Sequence, residues 1–306
     1  MPPSTPLSYC FTKCKRLQLK KKAKPGCVCP CITKKGEIEL AVFHTTMFSE
    51  SLGRLTEMTA IVPVEACKGI PEHQRAKDDA PMKAVMLLHG FSGTHSDWLF
   101  GSDIQQLAMT YHIAVLCPSG ENSFYVDDRH RDALYERYLC EVLEFSRRVF
   151  PLSRRREDTT IGGFSMGGYG ALLNGFKHPE LFGGIIALSS AAISDRLAAM
   201  PRYEDNSLAT AAYYEHVFGR PQDLPGSDRD LRHAAKTLAE SGQPLPRLFM
   251  ACGTEDGLLA DNDRLSAYLD SIGLAHTYLK GPGGHNWPFW NQYIAIALEQ
   301  FFRDNL

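Results

Sequence analysis

Three short segments of this chain carry side chains that belong together chemically. The first is Gly163-Phe164-Ser165-Met166-Gly167, a G-x-S-x-G run between a strand that ends in Thr159-Thr160-Ile161 and a helix whose first turns include Ala171-Leu172-Leu173. A serine on so sharp a turn sits in strained backbone, and the positions two before and two after it must lack side-chain bulk. Glycine at both leaves the hydroxyl exposed at the end of a sheet. Such a hydroxyl becomes a nucleophile only when a base takes its proton, and the base needs an acid to orient it. The second segment, Cys252-Gly253-Thr254-Glu255-Asp256, offers Asp256 as that acid, with Glu255 as the alternative. Asp261 and Asp263 lie near the next helix start, where capping and the helix dipole account for them. The third, Gly281-Pro282-Gly283-Gly284-His285, supplies an imidazole, a group that takes and returns a proton near neutral pH. His89 is the rival base, but it precedes Ser165 in a strand-end His-Gly pair and is read as shaping the loop that follows. That loop, His89-Gly90-Phe91-Ser92-Gly93, offers the Phe91 N–H as one donor to a developing oxyanion, and the Met166 N–H at a helix start offers the other. The chemistry is acyl transfer through a covalent serine intermediate. It needs neither a metal nor an organic cofactor.

Elements of an α/β pattern must position these groups. Residues 37–43 alternate with a period near two and read as a half-buried strand, paired with 54–64, where Pro63 marks a strand end. Residues 65–82 read as a loop. The apolar runs 84–88, 113–117, 184–188 and 247–251 read as strands buried on both faces of a parallel sheet, and 275–280 as the last strand. Helices are expected over 104–111, 134–150, 262–272 and 289–302, the second with Leu134, Tyr138, Val142, Phe145 and Val149 on its buried face. A loop over 118–131 carries Tyr125. Residues 190–245 break the alternation and read as a helical insertion above the sheet's carboxyl edge. The expected fold is a mostly parallel central sheet with helices on both faces, which places active sites at the carboxyl ends of the strands.

Charge divides the chain unevenly. It has 33 Lys and Arg against 35 Asp and Glu, a net of −2, yet residues 1–35 hold nine of the basic residues and no acid. The remaining 24 against all 35 acids leave residues 36–306 at −11, which disfavours nucleic-acid binding by the body. Five of the nine cysteines, Cys10, Cys14, Cys27, Cys29 and Cys31, also lie in this stretch, with spacings that fit no standard zinc pair. Residues 1–36 are therefore expected to be a basic, poorly ordered extension, and 37–306 the catalytic domain. No apolar run approaches the roughly 18 residues that span a bilayer, and no apolar stretch of about 7–15 residues follows the basic start. A cytoplasmic protein is expected. Cys67, Cys117, Cys140 and Cys252 suit reduced core thiols.

With these segments assembled, the chain resembles the putative-esterase group of α/β-hydrolases, which includes tributyrin, feruloyl or cinnamoyl and acetyl-xylan esterases and S-formylglutathione hydrolases. The resemblance covers about residues 43–302 and rests on LLHGFSGTHSDW (87–98), GGFSMGGYGAL (162–172), ACGTEDGLLADN (251–262) and GPGGHNWPFW (281–290). It is nearest to the tributyrin and cinnamoyl esterase branch. S-formylglutathione hydrolases usually have a cysteine-containing segment where this chain reads Phe91-Ser92-Gly93-Thr94. The resemblance implies the α/β-hydrolase fold, a Ser165–Asp256–His285 triad, Phe91 and Met166 as oxyanion donors, no cofactor and a small-molecule ester as substrate. Acyl transfer to a sugar or thiol on the same scaffold is the alternative, and a non-catalytic interaction protein a third. Short-chain acyl esters are the expected substrates. Trp98, Tyr125 and Trp287 are candidates to bind substrate, stacking on a hydroxycinnamoyl ring if the acyl group is aromatic.

Overall fold

Residues Leu40–Ser49 form strand β1, and a turn through Gly53 at φ +61° returns the chain as β2 (Arg54–Pro63), antiparallel from Leu40↔Pro63 to Ser49↔Arg54. The structure, a computed structural model, describes residues 40–64, 80–128 and 132–305. The basic, cysteine-rich extension of residues 1–36, with the boundary expected after it, lies outside the described residues, as do residues 65–79 of the expected loop.

The continuous apolar runs become the centre of the sheet. β3 (Lys83–Leu88) is followed by helices α1 (Asp97–Gly101) and α2 (Ile104–Tyr111), then β4 (Ile113–Pro118). A small hairpin, β5 (Asp127–Asp128) and β6 (Ala133–Leu134), leads into α3 (Tyr135–Val149). Next come β7 (Thr159–Phe164), α4 (Met166–Lys177) and β8 (Gly184–Leu188). The insertion holds α5 (Ser194–Ala198), α6 (Ala211–Phe218) and α7 (Leu231–Glu240). The chain closes with β9 (Arg247–Gly253), α8 (Leu259–Ser271), β10 (Thr277–Gly281) and α9 (Trp287–Phe302). The eight-stranded sheet runs β1-β2-β4-β3-β7-β8-β9-β10; β2 pairs antiparallel with its neighbours and every pair from β4 to β10 is parallel.

Strand pleating explains why the central runs are apolar without a break. In β3, Ala84, Met86 and Leu88 enter one hydrophobic cluster while Val85 and Leu87 enter the other; Ile185 and Ala187 of β8 likewise oppose Ile186 and Leu188. The first cluster includes residues of α3, α4 and α7, and the second residues of α2 and α9. Helices therefore cover both faces, as expected for an α/β-hydrolase fold.

Two local readings change. Thr159-Thr160-Ile161 begins β7 instead of ending it, because Gly162 and Gly163 continue the strand between β3 and β8. Helix α3 buries Tyr135, Tyr138, Leu139, Val142, Leu143 and Ser146, and Val149 is 55% exposed. Leu134 belongs to β6, so the helix starts one residue later and its buried stripe is rotated toward Leu139 and Leu143. Among the described residues, no helix is long and apolar enough to cross a membrane.

Candidate active site

The parallel register brings the ends of β3, β7, β8, β9 and β10 to one edge, with Leu88 beside Gly163, Phe164 beside Leu188, Leu188 beside Ala251 and Gly253 beside Gly281. Ser165 follows β7 directly, with φ 55° and ψ −121°, a backbone state that L-residues adopt only under constraint. The constraint is a set of backbone hydrogen bonds. The Ser165 N–H donates to Leu188 O (3.0 Å), and its carbonyl accepts from Tyr169 N–H (3.1 Å) and Ala191 N–H (2.9 Å). A Cβ on Gly163 would lie 2.4 Å from the Gly167 backbone, and one on Gly167 would lie 2.3 Å from Leu88 O. Gly163 is thus required by contact between β7 and α4, and Gly167 by contact between α4 and the end of β3, in keeping with the G-x-S-x-G spacing. A serine preceding a helix ordinarily caps it with its side chain, but the Ser165 hydroxyl makes no cap and is left for another partner.

That partner is His285. Its Nε2 lies 2.9 Å from Ser165 Oγ, and its Nδ1 lies 2.9 Å from Asp256 Oδ2. An ionised carboxylate only accepts, so Nδ1 carries the proton, Nε2 is the free acceptor, and the serine O–H donates to it. The Asp256 side chain is 1% exposed, whereas that of His285 is 37% exposed and open to a substrate. Burial alone would push the Asp256 carboxyl upward; hydrogen bonds from His285 and from the Leu258 N–H (2.9 Å) outweigh it and hold the group below the usual carboxylate range.

The acid and base loops are tied together. Thr254 N–H donates to Gly281 O (2.9 Å), Glu255 N–H donates to Gly283 O (3.1 Å), and the Glu255 carboxylate accepts the Gly283 N–H. Glu255, the alternative acid, therefore faces the backbone of the histidine loop and not the imidazole. Asn286 caps α9 by accepting the Phe289 N–H (3.2 Å), and Trp290 stands edge-on to His285 at 5.1 Å.

The His89 ring lies under the loop expected to form the oxyanion hole. Gly120 N–H donates to its Nε2 (2.8 Å), so its Nδ1 holds the proton and donates to Gly90 O (2.7 Å). Burial lowers the His89 pKa, consistent with this neutral form. Gly93 N–H also donates to Gly90 O (3.1 Å). A trans peptide points its C=O and N–H in opposite directions, so pinning Gly90 O onto His89 and Gly93 turns the Phe91 N–H the other way. The Met166 N–H belongs to the first turn of α4, where amides have no partner within the helix.

Residues 70–301 match the family described as Putative esterase. The chain belongs to this esterase family. Over 261 residues it is 42% identical to an acetyl esterase of Caldicellulosiruptor saccharolyticus, covering 85% of this chain and 97% of the relative. Among solved structures it is similar to the fluorophosphonate-binding serine hydrolase F of Staphylococcus aureus, with a TM-score of 0.73 at 27% identity over 86% of this chain and 98% of that one. An S-formylglutathione hydrolase of the same organism has a TM-score of 0.72 at 25% identity, over 86% and 99% of the two chains. A ferulic acid esterase at 19% identity shares the fold, with a TM-score of 0.67 over 87% and 98%.

In this esterase two of the three aromatic residues expected to bind substrate are elsewhere. Trp98 is fully buried, donates its indole N–H to Leu88 O (3.1 Å) and packs edge-on to Phe164 at 5.3 Å. Tyr125 is also fully buried, and its hydroxyl donates to His89 O (3.0 Å). Both lie behind the site and have no surface to offer an acyl group. Trp287 is half-buried, wedged against Gly101 and edge-on to Trp98 at 5.5 Å, and of the three it alone keeps exposed area. Phe91 meets a residue that nothing in its local sequence marks, Tyr213 of α6, with ring centroids 5.4 Å apart. Among the described residues, no group of three or more His, Cys, Asp and Glu is arranged to hold a metal ion.

Proposed function

We propose that this protein is a serine carboxylesterase for short-chain acyl esters, with Ser165 as nucleophile, His285 as base and Asp256 as the group that orients the base. The unbroken chain of hydrogen bonds Ser165–His285–Asp256, 2.9 Å at each link, carries the reading. Ser165 Oγ bonds to the ester carbonyl carbon as its proton passes to His285 Nε2. The carbonyl oxygen becomes an oxyanion facing the N–H groups of Phe91 and Met166, which stabilise charge present only in that intermediate. Collapse breaks the bond to the leaving alkoxide, which takes the proton from His285. A water molecule, deprotonated by the same nitrogen, then bonds to the acyl carbon; collapse returns Ser165 and the carboxylic acid. Likeness to an acetyl esterase supports a short acyl chain. A thioester substrate of the S-formylglutathione kind is the second reading, favoured by the structural neighbour of that activity. A cytoplasmic location is supported by Cys117, Cys140 and Cys252, all free thiols, and the acidic balance of residues 36–306 disfavours nucleic acid as a partner.

The test compares p-nitrophenyl acetate, butyrate and octanoate, methyl ferulate and S-formylglutathione, with Ser165→Ala as control. Acetate and butyrate should be preferred, and the variant should lose about five to six orders of magnitude in kcat. Activity of Ser165→Ala near that of the natural protein would overturn the mechanism. Dominance of methyl ferulate or S-formylglutathione would overturn the substrate class.

A further inference from the structure

Left-handed backbone at residues other than glycine is concentrated where two loops cross beside the nucleophile. Ser92 has φ +62°, and in the facing loop Glu121, Phe124 and Tyr125 have φ +47°, +51° and +57°. Residues hold such conformations only where surrounding contacts over-determine them, and a cluster of them points to a segment whose shape is in use. The facing loop is fastened from several sides. Gly120 N–H is on His89 Nε2, Ser123 Oγ–H donates to Gly120 O (2.6 Å), and Tyr125 N–H donates to Ser123 Oγ (3.0 Å). At its tip is Asn122. Its Oδ1 accepts the Ser92 N–H (2.7 Å), and its backbone carbonyl accepts the Tyr213 hydroxyl (2.6 Å) from α6, whose ring stands against Phe91.

We infer that Asn122 is a positioning residue for the oxyanion hole, holding the Ser92 N–H from one side while its carbonyl anchors Tyr213 of the insertion. The inference rests on the reading of Phe91 N–H as an oxyanion donor. That N–H lies in the plane of the Gly90–Phe91 peptide, and Phe91 φ and ψ couple this plane to the one that follows, so the preceding plane keeps its setting only while the following one is held. His89 and Gly93 fix the preceding plane at its carbonyl, and Asn122 fixes the following plane at its N–H. With both planes held, Phe91 cannot rotate, and its amide is set before substrate arrives. Tyr213 extends the same clamp to the insertion, since one side chain binds the carbonyl of the clamp residue and packs on the residue being clamped.

A clamp that acts only in the transition state has a kinetic signature that a loss of folding lacks. In the full-length protein, Asn122→Ala should lower kcat for p-nitrophenyl acetate about ten- to a hundredfold, since misaligning one oxyanion donor approaches the cost of losing it, with KM changed less than about twofold. Binding of a methyl trifluoromethyl ketone, whose serine adduct carries the oxyanion, should weaken by the same factor. Tyr213→Phe keeps the ring and removes only the hydroxyl; it should lower kcat about threefold or more, again at constant KM, and it decides the matter if the alanine variant does not fold. An unchanged kcat in folded Asn122→Ala, a rise in KM alone, or undiminished binding of the ketone would overturn the inference. Ser165→Ala measured alongside separates the two failures: an inactive Ser165→Ala beside a fully active Asn122→Ala removes only the clamp, whereas an active Ser165→Ala removes the mechanism beneath it.

Discussion

Replacing Asp256 with asparagine tests the site through one proton. The two shapes match, but the carboxylate accepts at both oxygens, and asparagine accepts at one and donates at the other. In the native site Oδ1 receives the Leu258 N–H and Oδ2 the His285 Nδ1–H, each at 2.9 Å. A backbone N–H cannot reverse its role, so the asparagine carbonyl must face Leu258 and its NH2 must face His285. The imidazole then accepts at Nδ1 and carries its proton on Nε2, where it can no longer take one from Ser165. This wrong-tautomer arrangement costs about four orders of magnitude in kcat in other serine triads, or about 5.4 kcal/mol of transition-state stabilisation. The native carboxyl, held low by His285 and Leu258 against its burial, stays ionised throughout the neutral range, so its own titration does not enter the comparison there. The assay is kcat on p-nitrophenyl acetate, together with the rate of fluorophosphonate labelling, which should fall in parallel because both need an activated Ser165. Glu255→Gln is the companion variant. Its remaining amide oxygen can still accept the Gly283 N–H, so its loss should stay within about tenfold. If Asp256→Asn kept activity within tenfold of the natural protein, or if Glu255→Gln fell as far, the acid would be misassigned and the tautomer argument would fail with it.

Two further outcomes follow from contacts away from the proton path. Gly163→Ala places a methyl group 2.4 Å from the Gly167 backbone, where neither the strand nor α4 can yield without moving Ser165; it should cost about 1–3 kcal/mol in urea unfolding and lower activity as well. Native stability would contradict the close approach. His178 lies 3.2 Å from Glu136 and 3.2 Å from Glu180, and its hydrogen bond to Glu136, outweighing burial, raises its pKa above the ordinary value. The charged form is therefore favoured by folding, and its contribution is complete below about pH 6.5 and lost as pH rises through the folded value. His178→Gln should lower stability by about 1 kcal/mol or less at pH 5.5, and the gap should close by pH 8.5; a gap that widens with pH would reverse the assignment.

The proposed triad is legible in the sequence because each member sits in or beside a run whose glycines are demanded by close backbone contact. Gly163 is required where β7 and α4 touch, and Gly167 where α4 meets the end of β3. Gly253 is required where the acid loop crosses the histidine loop, since a Cβ there would lie 2.0 Å from Gly283 O. Strands buried on both faces are legible for a similar reason, since a central strand admits no polar face. The residues that position the chemistry are not local in this sense. Trp98 and Tyr125 stand close in sequence to active-site loops, and that nearness does not tell which side of the sheet edge they occupy. In the fold their polar ends satisfy Leu88 O and His89 O, so they secure the end of β3 beneath the oxyanion loop instead of facing substrate. Asn122 and Tyr213 are 91 residues apart and meet only because the insertion reaches back to the sheet edge. No periodicity or spacing marks either one. It follows that the hydroxyl, imidazole and carboxylate can all remain intact in a homologue whose oxyanion hole is mis-set, because its geometry is decided where residues 119–125 and helix α6 meet the loop after β3. A test for competence that reads only the triad would pass such a protein, whereas binding of an oxyanion-bearing ketone would not.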